Sequence, residues 1–226
     1  MSAPAHKDAF AELLLVWYSR NRCGYPWRYT NNPYLVLVSE FLLQQTKSDD
    51  AVEPYKTLIG SYGNAGEMAE ADISLLRGAF QRLGLFYRAD RLLSAARFIV
   101  SEYGGLVPRT IEELLRIPGV GPYTANAVIC FGFGGRAAVV DTNVIRIYTR
   151  VFQIKSSSSR PRQDRRIWEF ASSMLPDSSC ADFNYALLDF GRMVCRSRNP
   201  RCGDCPLQKL CLYRKSSNQE PAENYV

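Results

Sequence analysis

The chain contains a single histidine, His6, close to the N-terminus. That argues against histidine acid–base catalysis and against zinc–histidine chemistry. Lysine is scarce as well: 6 Lys stand against 22 Arg, and none lies between Lys56 and Lys155. No run of about 18 apolar residues occurs, so no membrane span or membrane partner is expected. The opening MSAPAHKDAF has no apolar signal core. The expected location is therefore intracellular and cytoplasmic, where disulfides are disfavoured. Strand alternation, hairpin signals and repeats of solenoid period are all missing.

Apolar residues make up 46% of the 226, enough for a packed core in one sizeable domain or two small ones. The net charge of +6 suits a polyanionic partner. Arginine forks onto phosphate and guanine edges better than lysine does, although a codon bias or a heat-loving host would give the same excess. Apolar residues recur at three- and four-residue spacing over 8–19, 86–103, 110–117, 122–134, 165–175 and 182–194. The expectation is an all-α fold. Residues 20–34 read as a Pro/Gly loop and 155–162 as a serine–arginine loop, most simply a solvated one. Residues 215–226 read as a polar, frayed end.

Four features carry chemistry. Ile117-Pro118-Gly119-Val120-Gly121 is a tight glycine turn, and Pro122 suits the first position of a helix. Backbone N–H groups in such a turn can approach an anion closely. Asp141 follows 20 residues after Gly121, at the start of a helix over 142–151; alone it would read as an N-cap. Residues 33–46 are apolar on nearly every face, so the helix should be buried with Glu40 in its middle. Burial would raise that carboxyl's pKa toward neutrality, unless backbone N–H groups satisfy it. Cys195, Cys202, Cys205 and Cys211 form C-x6-C-x2-C-x5-C, a metal-site spacing in a reducing compartment. Four thiolates could hold zinc or an iron–sulfur cluster. Cys23, Cys130 and Cys180 read as buried apolar fillers.

The hairpin followed by Asp141 resembles the helix-hairpin-helix DNA glycosylases, and the resemblance covers roughly residues 8–213. The cysteine spacing resembles the [4Fe-4S] loop of endonuclease III and MutY-type enzymes, which implies a [4Fe-4S] cluster on Cys195, Cys202, Cys205 and Cys211. It would have a structural role, holding a loop rich in Arg196, Arg198, Arg201, Lys209 and Arg214 against DNA. The resemblance implies two helical lobes with the DNA cleft between them. One would be a six-helix barrel over 25–136, and the other, the cluster lobe, would combine 1–24 with 137–226. It makes Asp141, Glu40 and Tyr123 catalytic, and Gln45, Gln44, Gly119, Val120 and Gly121 DNA-binding. Gln45 would fill the stack behind a flipped nucleotide.

Where lyase members carry a lysine, this chain has Tyr123, so a monofunctional enzyme is expected. Pro26-Trp27-Arg28, Ser39-Glu40 and Leu43-Gln44-Gln45-Thr46 resemble MutY-type adenine glycosylases. Those enzymes usually carry Asp-Gly-Asn at the catalytic loop, however, and here Thr142 replaces the glycine. They usually also carry a C-terminal domain that inspects 8-oxoguanine, and none is expected in the 15 residues after Cys211. Val140-Asp141-Thr142-Asn143-Val144, Asp182-Phe183-Asn184 and Leu187-Leu188-Asp189-Phe190 resemble the mismatch thymine/uracil glycosylases of the Mig type. The favoured expectation is removal of T or U opposite G from mismatched double-stranded DNA by a monomer. Removal of adenine from A/G or A/8-oxoG pairs is the alternative. A non-catalytic DNA-binding module is the alternative of another class, and a bifunctional lyase a further one.

Overall fold

The computed structural model describes residues 6–81, 83–84 and 86–217; of the polar 215–226 end, residues 218–226 lie outside the described residues. Among the described residues every regular element is helical, so the fold is all-α. The chain divides into two compact units, Gly24–Ala137 and Met1–Cys23 with Ala138–Val226.

The internal unit holds α2 (Pro33–Leu43), α3 (Ser48–Ser61), α4 (Ala65–Ala69), α5 (Ile73–Gln81), α6 (Tyr87–Tyr103), α7 (Ile111–Leu114) and α8 (Pro122–Ala127). Apolar periodicity does not single out α3, α4 or α5. Acidic residues start α3 and Pro54 sits inside it, yet the helix persists because Ala51, Pro54, Tyr55 and Leu58 are buried. Asn32 starts α2 by accepting from the N–H groups of Tyr34 and Leu35, with Pro33 at the first helical position. The helix stops at Leu43 rather than running to residue 46. The segment 122–134 also departs from a plain α-helix, because Val128–Gly132 widens into a π-helical turn. The 20–34 loop is more ordered than its composition implies. Trp27 is buried, stacked on Tyr25 at 5.0 Å and edge-on to Tyr55 at 5.4 Å.

The terminal unit holds α1 (Lys7–Asn21), α9 (Thr142–Phe152), α10 (Arg165–Met174), α11 (Cys180–Met193) and α12 (Leu212–Ser217). Phe10, Tyr148, Phe152, Phe170 and Phe183 interlock edge-to-face and tilted at its centre, the favoured aromatic geometry. The serine loop is tied down. Asp164 accepts from the hydroxyls of Ser156 and Ser157 and from the Ser157 N–H, and those bonds hold its pKa down to about 2. Of the three cysteines expected as buried fillers, Cys130 is buried, while Cys23 and Cys180 are half-buried and polar in their contacts. Cys23 Sγ lies 2.8 Å from Arg192 Nη2, and Cys180 Sγ accepts from Asn184 Nδ2.

Candidate functional site

In the internal unit, Glu40 is buried in α2 with 6% of its surface exposed. Just past the helix, Thr46 N–H bonds the Leu43 carbonyl at 3.2 Å, and Gln44 and Gln45 form the corner between. Gln45 is exposed and left-handed, with φ +55°. That conformation costs a non-glycine residue about 1–2 kcal/mol. The hairpin is a type II turn: Val120 N–H bonds the Ile117 carbonyl at 3.1 Å, Pro118 sits at the second position and Gly119 at the third with φ +83°. The N–H of Val120 is therefore engaged inside the turn, and its side chain is buried. A Cβ on Gly119 would come 2.8 Å from Phe41 Cε1, so the turn lies directly on α2, beside Glu40 in sequence. Gly121 is extended and precedes α8, in which Tyr123 is half-buried.

In the terminal unit, Asp141 is the N-cap of α9, and its Oδ1 accepts from Val144 N–H at 2.8 Å. Its Oδ2 accepts from Asn143 Nδ2 at 2.6 Å. Burial raises the carboxyl's pKa from its ordinary value, while these two bonds, the Asn143 N–H and the charge of Arg146 oppose that rise. Arg146 Nη2 donates to Asn143 Oδ1 at 2.7 Å, which turns the amide so that its NH2 faces Asp141. The same guanidinium donates to the carbonyls of Gly191 and Cys195, both at 2.8 Å. The extended approach to Asp141 is pinned by buried Asn184, whose Oδ1 accepts from Val139 N–H at 3.0 Å. Thr142, Ile145 and Arg146 also line a cavity of about 540 Å3 with residues 159–163. Asn143 and Asn184 lie in the segments that carry the Mig-type resemblance, but sequence alone gives neither of them, nor Arg146, a part in the site. The (i, i+3) spacing of Asn143 and Arg146 on the turn that Asp141 caps was the available signal.

The cysteine loop follows α11 and is docked on α9. Arg150 donates to the carbonyls of Arg196 and Ser197 and reaches Cys195 Sγ at 3.5 Å, while Cys211 Sγ lies 3.5 Å from the Arg150 carbonyl. The four thiols are grouped. Burial pushes the Cys205 thiol up to about 12, and the sulfurs of Cys195, Cys211 and Cys202 add to the rise. Among the described residues no three His, Cys, Asp or Glu side chains close around a single ion. Four cysteine sulfurs brought together on one loop are the donor set of an iron–sulfur cluster.

Residues 38–172 match the HhH-GPD superfamily of base excision DNA repair proteins. The chain belongs to that superfamily. The match spans Glu40, Gln45, the hairpin and Asp141. Residues 195–211 match the iron–sulfur binding domain of endonuclease III, and the cofactor is a [4Fe-4S] cluster. The thymine/uracil-DNA glycosylase of Methanothermobacter thermautotrophicus is 34% identical over 208 residues, 92% of this chain and 94% of that one. The adenine DNA glycosylase of Mycolicibacterium smegmatis is 38% identical over 204 residues, 90% of this chain and 69% of that one. A solved structure of a thermostable thymine-DNA glycosylase superposes with a TM-score of 0.85 at 33% identity, covering 93% of this chain and 97% of that one. No helix among the described residues is long and apolar enough to cross a membrane.

Proposed function

We propose that this base excision repair enzyme is a monofunctional DNA glycosylase that hydrolyses the N-glycosidic bond of T or U mispaired with G. It is a DNA N-glycosylase and binds DNA. The observation that carries the mechanism is the setting of Asp141, a half-buried carboxylate held by a helix start, an amide and a nearby arginine. Positive charge develops on the sugar as the glycosidic bond breaks, and a fixed carboxylate at C1′ stabilises that charge in the transition state. Glu40 contacts the departing base and helps neutralise its charge. Tyr123 shapes the pocket and offers no amine, so no Schiff base forms there and the abasic strand is left intact. The hairpin backbone at Gly119 and Gly121 holds a phosphate, with Val120 closing the turn, and Gln44 and Gln45 meet the duplex where the nucleotide has flipped. Cys195, Cys202, Cys205 and Cys211 hold the cluster, which keeps the arginine-rich loop folded against the DNA backbone. The enzyme acts as a monomer on mismatched duplex DNA, inside the cell at the nucleoid.

For the base removed, Thr142 in Asp141-Thr142-Asn143 favours the pyrimidine reading, because adenine enzymes usually place glycine there. Adenine removal keeps one specific support, the Ser39-Glu40 and Leu43-Gln44-Gln45-Thr46 segment together with 38% identity to an adenine enzyme. Single-turnover release from duplexes holding one T/G, U/G, A/G or A/8-oxoG pair tests this, read with and without hot alkali. Strand cleavage at T or U only after alkali is the expected result. Cleavage at A would replace the pyrimidine reading, and cleavage without alkali would overturn monofunctionality. Asp141→Asn should bind duplex normally and release no base; wild-type turnover would remove Asp141 from the mechanism.

A further inference from the structure

Arg88, in the first turn of α6, is the largest side chain with no exposed surface among the described residues. Its Nη1 donates to the carbonyls of Leu42 and Gln44, both at 2.7 Å, and to Thr46 Oγ1 at 2.6 Å. Its Nη2 reaches the Leu83 carbonyl at 3.1 Å, and the guanidinium lies 5.5 Å from the Phe80 ring centroid. The Leu42 carbonyl belongs to the last turn of α2, where carbonyls lack helical partners and a cation is favoured. The three Nη1 acceptors bracket one residue. Leu42 and Gln44 precede Gln45, Thr46 follows it, and Gln45 is the residue in the left-handed conformation with its side chain exposed.

We propose that Arg88 is the positioning residue for Gln45: it ends α2 at Leu43 and locks the left-handed corner that aims Gln45 at the DNA stack. This rests on the reading that Gln45 fills the gap behind the flipped nucleotide. A glutamine on an unconstrained corner would relax to a right-handed conformation and continue the helix, because glutamine is a good helix former. With Arg88 in place, the corner is ordered before DNA arrives, and inserting Gln45 carries no further cost of ordering the backbone. Lysine cannot replace this geometry, since its single ammonium on a flexible stem has no second nitrogen to take the Leu83 carbonyl and so hold the first against the corner.

The test uses the holoenzyme and the duplex that the mismatch panel identifies, with a 2′-fluoro sugar at the target to block cleavage and 2-aminopurine beside it to report unstacking. Gln45→Ala, Arg88→Met, Arg88→Lys, Thr46→Val and the double variant Arg88→Met/Gln45→Ala are compared at saturating protein, with thermal melts defining the folded fraction. Gln45→Ala should lower the unstacked fraction about tenfold, Arg88→Met and Arg88→Lys by a similar factor, and Thr46→Val about threefold. If Arg88 acts through Gln45, the double variant is no worse than Gln45→Ala alone. On a cleavable duplex with the target facing an abasic site, where little pairing must be broken, the folded Arg88 and Thr46 variants should release base within about twofold of wild type. A wild-type signal from Gln45→Ala overturns the wedge reading and the proposal with it. A loss in Gln45→Ala with wild-type signal in Arg88→Met, or a further equal loss in the double variant, overturns the role of Arg88 alone. If Arg88→Met does not fold, Thr46→Val decides, because it removes one contact at the corner and leaves the buried guanidinium in place.

Discussion

Gly191→Ala is the sharpest probe of how α9 and α11 hold Asp141. An alanine Cβ at this position would lie 2.5 Å from Asn143 Cβ, 3.2 Å from its Cγ and 3.4 Å from its Cα. Carbon atoms rest at about 3.5–4.0 Å, so roughly 1 Å of separation is required. The obstructing atoms are at or next to the backbone, and no flexible side-chain end can swing aside, so the helices themselves must part. Overpacking of this kind costs about 1–3 kcal/mol. At roughly 2–4 °C per kcal/mol for a chain of this size, the melting temperature should fall by about 2–12 °C. The functional consequence should exceed the thermal one. The Gly191 carbonyl accepts from Arg146, Arg146 orients Asn143, and Asn143 donates to Asp141. A displacement of 1 Å at a reacting group costs about 100-fold in rate. Single-turnover base release should therefore drop by about that factor while duplex affinity stays near wild type. Gly60→Ala in α3 serves as the control, since an added Cβ there meets nothing within 4 Å. A Gly191→Ala enzyme that melts early but releases base at the wild-type rate would refute the link from α11 to Asp141. Unchanged melting would refute the packing argument itself.

Asn143→Ala removes a donor that holds the Asp141 carboxyl down against burial, so its pKa rises further. Asp141 works ionised, and activity is lost as pH falls through its pKa; the acid limb of the single-turnover profile should therefore move to higher pH, and an unmoved limb would contradict the network. Asp164 has a folded pKa of about 2, below its unfolded value. Its stabilisation of the serine loop is then fully present above the ordinary carboxylate range and lost as pH falls toward about 2. Asp164→Asn should melt below wild type at pH 7, with the gap closing in that acid window; a constant gap would mean the ionised form is irrelevant. Cys211→Ser should purify with less iron and melt earlier, because a hydroxyl replaces one of the four thiolates that hold the cluster, and cluster binding favours the folded loop. Full iron occupancy in that variant would remove Cys211 from the ligand set.

Much of this site is legible in the sequence. The glycine turn, Asp141 at a helix start and the cysteine spacing are local patterns, and each depends on a few neighbouring residues. The same holds for α1, α6, α10 and α11, whose apolar stripes repeat at helical spacing. What escaped was set by partners far away in sequence. Asn143 and Arg146 look like ordinary exposed-face residues of α9 until the carbonyls of Gly191 and Cys195 are placed against Arg146. Composition makes Cys23 and Cys180 apolar fillers because cysteine usually is one, yet each meets a side-chain donor.

The end of α2 shows most clearly where local reasoning stops. Phe41-Leu42-Leu43-Gln44-Gln45 is a run without glycine or proline, and leucine and glutamine both favour helix. Propensity alone continues the helix to residue 46, and the apolar stripe before it gives no reason to stop. A break after Leu43 therefore needs a compensating interaction at least as large as the cost of a left-handed glutamine. Arg88 is the buried group in contact with both sides of that corner, and it comes from α6, more than forty residues further along the chain. A buried arginine is itself costly unless fully hydrogen-bonded, so arginine and corner stabilise each other: the guanidinium gains backbone acceptors that a continuous helix would have used internally. Such a pair leaves no periodic trace. It appears in sequence only as two unremarkable facts, an arginine in an amphipathic helix and a second glutamine after an apolar run, and their coupling is visible only in three dimensions.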